Sequence, residues 1–211
     1  MAPEKRREEI LAVATELIFS QGFDAISVDL IVQTAAIAKG TFYYYFDSKK
    51  AVLEAIALRV VERMVEAARE ISEQPGLNAA EKIGAILGAQ KQIEQQAQSV
   101  VDGLHQPGNR LLHDRINIEL IKAFGPVLAQ VVEQGCAEKV FDVDDPLSTM
   151  QFILAGSQML FGHDAFNWTA EELAARQQAM VTLVGRTLNA TPVTMQAILQ
   201  SIDKHAQRKN I

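Results

Sequence analysis

The chain has 211 residues, 48% of them apolar and 22% charged, with a formal net charge of −6, the balance of a globular protein long enough to bury a core in one or two domains. That acidity excludes binding a polyanion through a general field. No run approaches the ~18 apolar residues of a membrane helix, and the charged start MAPEKRREEI lacks the apolar stretch of a signal peptide, so a cytoplasmic protein with no membrane partner is expected.

Ile10, Leu11, Ala14, Leu17 and Ile18 recur at helical spacing and predict a first amphipathic helix, which Gly22 in SQGF suits as a C-terminal cap. Ser27 suits the N-cap of a short helix over 28–35, and a third short helix covers about 39–45. Ser48 can cap a fourth, much longer helix, in which Val52, Leu53, Ile56, Val60, Val61, Met64 and Ala68 keep helical spacing to about Ile71, before the breaker QPG. Beyond it Pro107-Gly108, Gly125-Pro126, Asp145-Pro146 and Thr191-Pro192 divide the remainder into helical lengths, and no stretch reads as a strand. An all-α chain is expected. A single cysteine, Cys136, rules out an intrachain disulfide and fits a buried thiol. The segment DPLSTMQFILAGSQMLFG is apolar on more than one face and is followed by AEELAARQQAMVTLVGRTL; such helices need cover on several sides. A second copy can supply it through a four-helix interface in a homodimer, and burial of both helices within one subunit is the alternative.

The stretch AKGTFYYYFDSKK, 38–50, sets three tyrosines between two phenylalanines beside a lysine pair. At about 100° per residue, Phe42 and Phe46 share an inward face while Gly40, Thr41, Tyr43 and Tyr44 face out, with Tyr45 between packing and contact. Exposed adjacent tyrosines add apolar surface to the solvent side unless a partner meets them. Duplex DNA offers such a partner, with thymine methyls and base edges in the groove and phosphates on its flanks. Gly40 lets a backbone approach closely, and Lys39, Thr41, Ser48 and Lys49 stand where helix starts favour anions. Two short helices after a longer amphipathic one have the arrangement of a helix-turn-helix module.

These residues carry a family resemblance. GFDAISVDLIVQTAAIAKGTFYYYFDSKKAVLEAI, 22–56, resembles the DNA-binding domain of the TetR family of bacterial transcriptional regulators, with KGTFYYYFDSKK as its specific core. The resemblance implies that Lys39, Gly40, Thr41 and Tyr43 meet bases or the groove edge, and that Ser27, Tyr44, Tyr45 and Lys49 position the DNA backbone. It further implies a three-helix helix-turn-helix domain over 1–47 and a helical effector-binding and dimerisation domain over 48–211, joined by the helix at 48–72. Two positions depart from the family pattern. Ala36 stands in the turn where glycine is common, and Ala38 stands where a capping serine is common; a positive φ at 36 would cost alanine roughly 1 kcal/mol.

After about residue 60 the resemblance is weak, and the effector is unidentified. Gln90, His113, Asn117 and Ser157 are polar residues amid apolar helices that could orient a small molecule or be satisfied core groups. His105, His113 and Asp114 raise the question of a metal, but Pro107-Gly108 breaks the register between the histidines, and neither a metal nor another cofactor is expected. No GxSxG, Walker or GxGxxG motif is present, so an enzyme is not expected. The expectation is a homodimeric, effector-responsive regulator of a palindromic operator in double-stranded DNA, of the repressor type. Its rival is a helical small-molecule-binding protein whose N-terminal head meets a protein partner.

Overall fold

The computed structural model describes residues 3–162 and 166–207. Among the described residues every regular element is a helix: α1 (Pro3–Gln21), α2 (Val28–Thr34), α3 (Lys39–Tyr45), α4 (Lys49–Ser72), α5 (Ala79–Gln96), α6 (Gln98–Leu104), a 3-10 turn (Pro107–Asn109), α7 (Arg110–Ala137), α8 (Pro146–Phe161), α9 (Ala170–Thr187) and α10 (Pro192–Gln207). None of these helices is long and apolar enough to cross a membrane. The chain forms two compact units, Met1–Glu62 with Ile93–Ile116 and Arg63–Gln92 with Asn117–Ile211.

In the first unit the inward stripe of α1, Ile10, Leu11, Ala14 and Ile18, is fully buried, each large side chain contributing about 1.5–3 kcal/mol of transfer free energy. The helix stops where Gly22, at φ 83, donates its N–H to Ile18 O at 2.9 Å. Ser27 opens α2, its Oγ accepting the N–H of Leu30 at 3.1 Å. Across the turn Ala36 takes φ 51, so the left-handed position is filled by alanine and its strain is real. Ala38 at the start of α3 makes no side-chain cap bond. Ser48 Oγ accepts the N–H of Ala51 at 3.2 Å and begins α4. Helix α6 buries Val100 and Leu104 in the same unit, and Asn109 Nδ2 donates to Gly103 O at 2.7 Å to close the turn after it.

In the second unit α5 contributes Ile83 and Ile86 to the core, α7 Leu120, Phe124 and Leu128, α8 Met150 and Leu154, and α10 Ile198. A buried lysine ties three segments together: Lys82 Nζ donates to Ser72 O at 2.6 Å and to Gln134 Oε1 at 2.9 Å, which satisfies a charge that would otherwise be costly to bury. Helix α8 starts on Asp145, which accepts from Ser148 N, and α9 on a reciprocal capping box between Thr169 and Glu172.

Two features differ from the sequence reading. Gly125-Pro126 does not break the chain but lies inside the 28-residue α7. An internal proline costs a helix about 3 kcal/mol, and burial of Phe124, Val127, Leu128, Val131 and Val132 around it, at about 1.5–3 kcal/mol each, outweighs that. Conversely α5 and α6 part at Ala97, which has φ −101 and ψ 20 and is fully buried, with no glycine or proline to signal the break.

Candidate functional site

The first candidate site is the outer face of α3. Its inner face is anchored by Phe42, fully buried, and Phe46, whose ring centroids lie 5.9 Å apart. Tyr43 packs its edge on Phe42 at 5.4 Å yet remains 48% exposed, and Tyr44 is 76% exposed. Tyr45 is half-buried, with its ring perpendicular to that of Tyr44 at 4.9 Å. The ring contacts of Tyr43 with Phe42 and of Tyr44 with Tyr45 lower the entropic cost of presenting two phenols. Gly40 is exposed, and a Cβ built there would meet nothing within 4 Å, so the backbone at the start of α3 is open to an approaching partner. Thr41 is half-exposed beside it.

The cations around this face are engaged within the unit. Lys39 Nζ pairs with Asp29 at 2.7 Å, and the hydrogen bond and charge of that carboxylate hold the ammonium above the ordinary lysine pKa. Lys49 Nζ donates to Phe23 O at 2.8 Å and Ile26 O at 2.9 Å and lies 4.2 Å from the centroid of the Phe23 ring. Two of its three N–H donors are thereby spent on the loop before α2, leaving one for a phosphate. Lys50 Nζ donates to Gly108 O at 2.6 Å. Ser27 Oγ accepts from the backbone, which leaves its hydroxyl proton for an acceptor outside. No signal local to Lys39 or Lys49 in the sequence identifies these partners, because each lies ten or more residues away along the chain.

The second candidate site is a cavity of about 270 Å³ within the second unit. Helix α5 contributes Ile83, Leu87 and Gln90, and α7 contributes Leu128. From α8 come Met150, Ile153, Leu154, Ser157 and Gln158, while α9 supplies Met180, Val181 and Val184 and α10 supplies Met195, Ile198, Leu199 and Ile202. Of the four polar residues picked from the sequence, Gln90 and Ser157 are brought together here, whereas His113 and Asn117 do not line this cavity. His113 is buried in the first unit with its ring perpendicular to that of His105 at 4.9 Å. Among the described residues no group of three His, Cys, Asp or Glu side chains is placed to hold a metal ion. The cavity's three methionines and Gln158 escaped the sequence reading, since they come from three helices whose pairing no local pattern encodes.

Comparison with known proteins covers both units. Residues 10–56 match the family described as bacterial regulatory proteins, tetR family, and residues 92–183 match the tetracyclin repressor-like C-terminal domain. The chain is 50% identical over 50 residues to YvdT, an uncharacterized HTH-type transcriptional regulator of Bacillus subtilis, and 39% identical over 72 residues to the HTH-type transcriptional regulator EthR of Mycobacterium tuberculosis. These matches span 24% and 34% of this chain and 26% and 33% of the relatives, so the chain covers no more than about a third of their length. A crystal structure of a TetR/AcrR-family transcriptional regulator from Thermobifida fusca superposes with a TM-score of 0.55 at 23% identity, covering 85% of this chain and 97% of that one. The helix-turn-helix segment and the C-terminal helices thus match models of one family over most of the sequence, and the chain belongs to the TetR family of bacterial regulatory proteins.

Proposed function

We propose that the protein is a cytoplasmic, homodimeric transcriptional regulator of the repressor type that binds a near-palindromic operator through α3 and releases it when a small molecule fills the cavity. The chain is a regulator and not an enzyme. The observation that carries the DNA reading is the division of α3 into a buried Phe42/Phe46 face and an open Gly40/Tyr43/Tyr44 face. Gly40, Thr41 and Tyr43 would meet base edges, Lys39 would meet the groove edge with its flanking phosphate, and Ser27, Tyr44, Tyr45 and the remaining Lys49 donor would meet phosphates. In this reading residues 1–47 form the DNA-binding domain and 48–211 the effector-binding and dimerisation domain, with the helix over 48–72 connecting them. Exposed Phe152 and Met159 on α8 and Leu183 on α9 support these helices as the dimer surface, since a second copy would remove apolar area from water. An effector acts only through unequal affinity for two states, and α4, α5 and α7, each with residues in both units, are covalent connections between head and cavity domain.

Selection of bound sequences from random duplexes with the full chain tests the reading. Enrichment of a near-palindrome with half-site centres about 34–36 Å apart is expected, with Tyr44→Ala losing at least tenfold in affinity while the fold and dimer persist. Absence of any duplex binding at about 50 mM salt would refute it and favour a protein partner for the head.

A further inference from the structure

We infer that the cavity selects an uncharged, largely apolar molecule of about ten non-hydrogen atoms that carries one hydrogen-bond donor, and that Ser157 is the acceptor orienting it. The inference rests on reading the cavity as the effector site and adds the chemistry of the ligand. Its first ground is charge. Among the described residues no Asp, Glu, Lys, Arg or His lines the cavity, so an ion entering it would give up its hydration with no countercharge from them in return. Its second ground is the state of the polar atoms. Ser157 Oγ donates its proton to Ile153 O at 2.8 Å, one turn back on α8, so what the hydroxyl offers the cavity is its lone pairs. A ligand hydroxyl or N–H satisfies them, whereas a ligand carbonyl finds no proton on Ser157 and would have to turn to the side-chain amides of Gln90 or Gln158, which also line the cavity.

Size and shape follow from the walls. A volume of about 270 Å³ holds about nine waters at roughly 30 Å³ each, the bulk of a fused bicyclic or a short alkyl phenol. Met150, Met180 and Met195 come from three different helices, and the unbranched thioether adjusts to irregular shapes. The cavity therefore discriminates strictly on charge and loosely on outline.

A matched set of probes tests this on the full-length protein by isothermal titration calorimetry at neutral pH: 1-naphthol, naphthalene, 1-naphthoate and 1-naphthylmethylammonium. The expected result is saturable binding of 1-naphthol, with both ions at least about thirtyfold weaker. Ser157→Ala should weaken 1-naphthol about fivefold, the net worth of one hydrogen bond, and leave naphthalene unchanged. Val184→Trp, which fills the cavity from α9, should abolish binding of both neutral probes. Either ion binding as tightly as 1-naphthol, or no probe binding up to about 1 mM, would overturn the ligand class. Equal losses for both neutral probes in Ser157→Ala would overturn the role of Ser157, and undiminished binding to a folded Val184→Trp would overturn the location. Operator affinity measured with and without 1-naphthol separates the two levels: binding that leaves the operator complex intact refutes the effector reading while the ligand chemistry stands.

Discussion

Ala36→Gly should stabilise the head. The residue sits at φ 51 between α2 and α3, where the alanine Cβ crowds the following carbonyl at a cost of about 1–2 kcal/mol. Glycine removes that cost but gives the unfolded chain more freedom, worth about 0.4–1 kcal/mol against the folded state. The balance is a gain of about 0.5–1 kcal/mol, or about 2 °C in the midpoint for a chain of this length. Hydrogen bonds do not alter the balance, because Ala36 N to Gln33 O at 3.2 Å and Ile37 N to Val32 O at 3.1 Å persist whichever residue occupies the turn. Its neighbour supplies the control: Ala35 caps α2 at φ −76, a conformation natural to alanine, so Ala35→Gly should lose about 0.5–1 kcal/mol. Urea and thermal unfolding followed by circular dichroism measure both. Opposite signs are expected at adjacent positions, and an Ala36→Gly protein no more stable than the parent would refute the strain argument.

Lys49→Met should unfold earlier than the parent by about 2 kcal/mol, since two charged hydrogen bonds to Phe23 O and Ile26 O are lost at a net of about 1.5–3 kcal/mol for such interactions; an unchanged urea midpoint would place the ammonium outside the fold. Gly84→Val should dislodge α10, because any Cβ there runs into Ser201 and the carbonyl of Ile198, and overpacking of this kind costs about 1–3 kcal/mol; limited proteolysis should cut within α10 in the variant and not in the parent. Acid should weaken the starts of α8 and α9. The backbone and hydroxyl bonds that Asp145 shares with Ser148 and Glu172 with Thr169 hold both carboxyls below their ordinary values, so their contribution is complete above about pH 4.5 and fades as pH falls through the folded values. Glu172→Gln keeps a capping side chain but cannot titrate, so its melting temperature should fall less steeply between about pH 5 and pH 3.

What the sequence made legible is what depends on near neighbours. The 3.6-residue recurrence in α1 and α4, the caps at Ser27 and Ser48 and the two faces of α3 each involve residues within about one or two turns, and each is found in the structure. The missing serine cap at Ala38 and the strained turn at Ala36 were legible as departures from the family pattern, and both are found in the structure. Packing across the chain was not. Pro126 reads as a breaker by propensity, and only the burial of its neighbours within α7, Phe124, Val127 and Leu128 among them, decides that the helix continues. The cavity gathers residues from 83 to 202, so Gln90 and Ser157 in its lining were reachable from composition of the helices, but its three methionines and the placing of His113 and Asn117 outside that lining required the tertiary arrangement.

The lysines make the largest difference between the two views. From 30 to 50 the sequence holds Lys39, Lys49 and Lys50 against Asp47 alone, which reads as a basic patch. In the fold Lys39 is paired with Asp29, and Lys49 and Lys50 spend donors on backbone carbonyls. A phosphate meeting Lys39 must therefore compete with a carboxylate at 2.7 Å, and the electrostatic share of DNA binding is smaller than three lysines per subunit would give. If all six in a dimer each neutralised a phosphate, the logarithmic salt slope would reach about −5; the pairing predicts a shallower one, with the tyrosines supplying contacts that salt does not screen. Asp29→Asn removes the competitor without shortening the side chain. It should tighten operator binding at low salt and steepen the slope by about 0.9 per subunit, close to two for the dimer, as read by fluorescence anisotropy from about 50 to 200 mM salt. A slope unchanged by Asp29→Asn would mean that Lys39 does not meet phosphate, leaving it to base edges or to the helix pair it already joins.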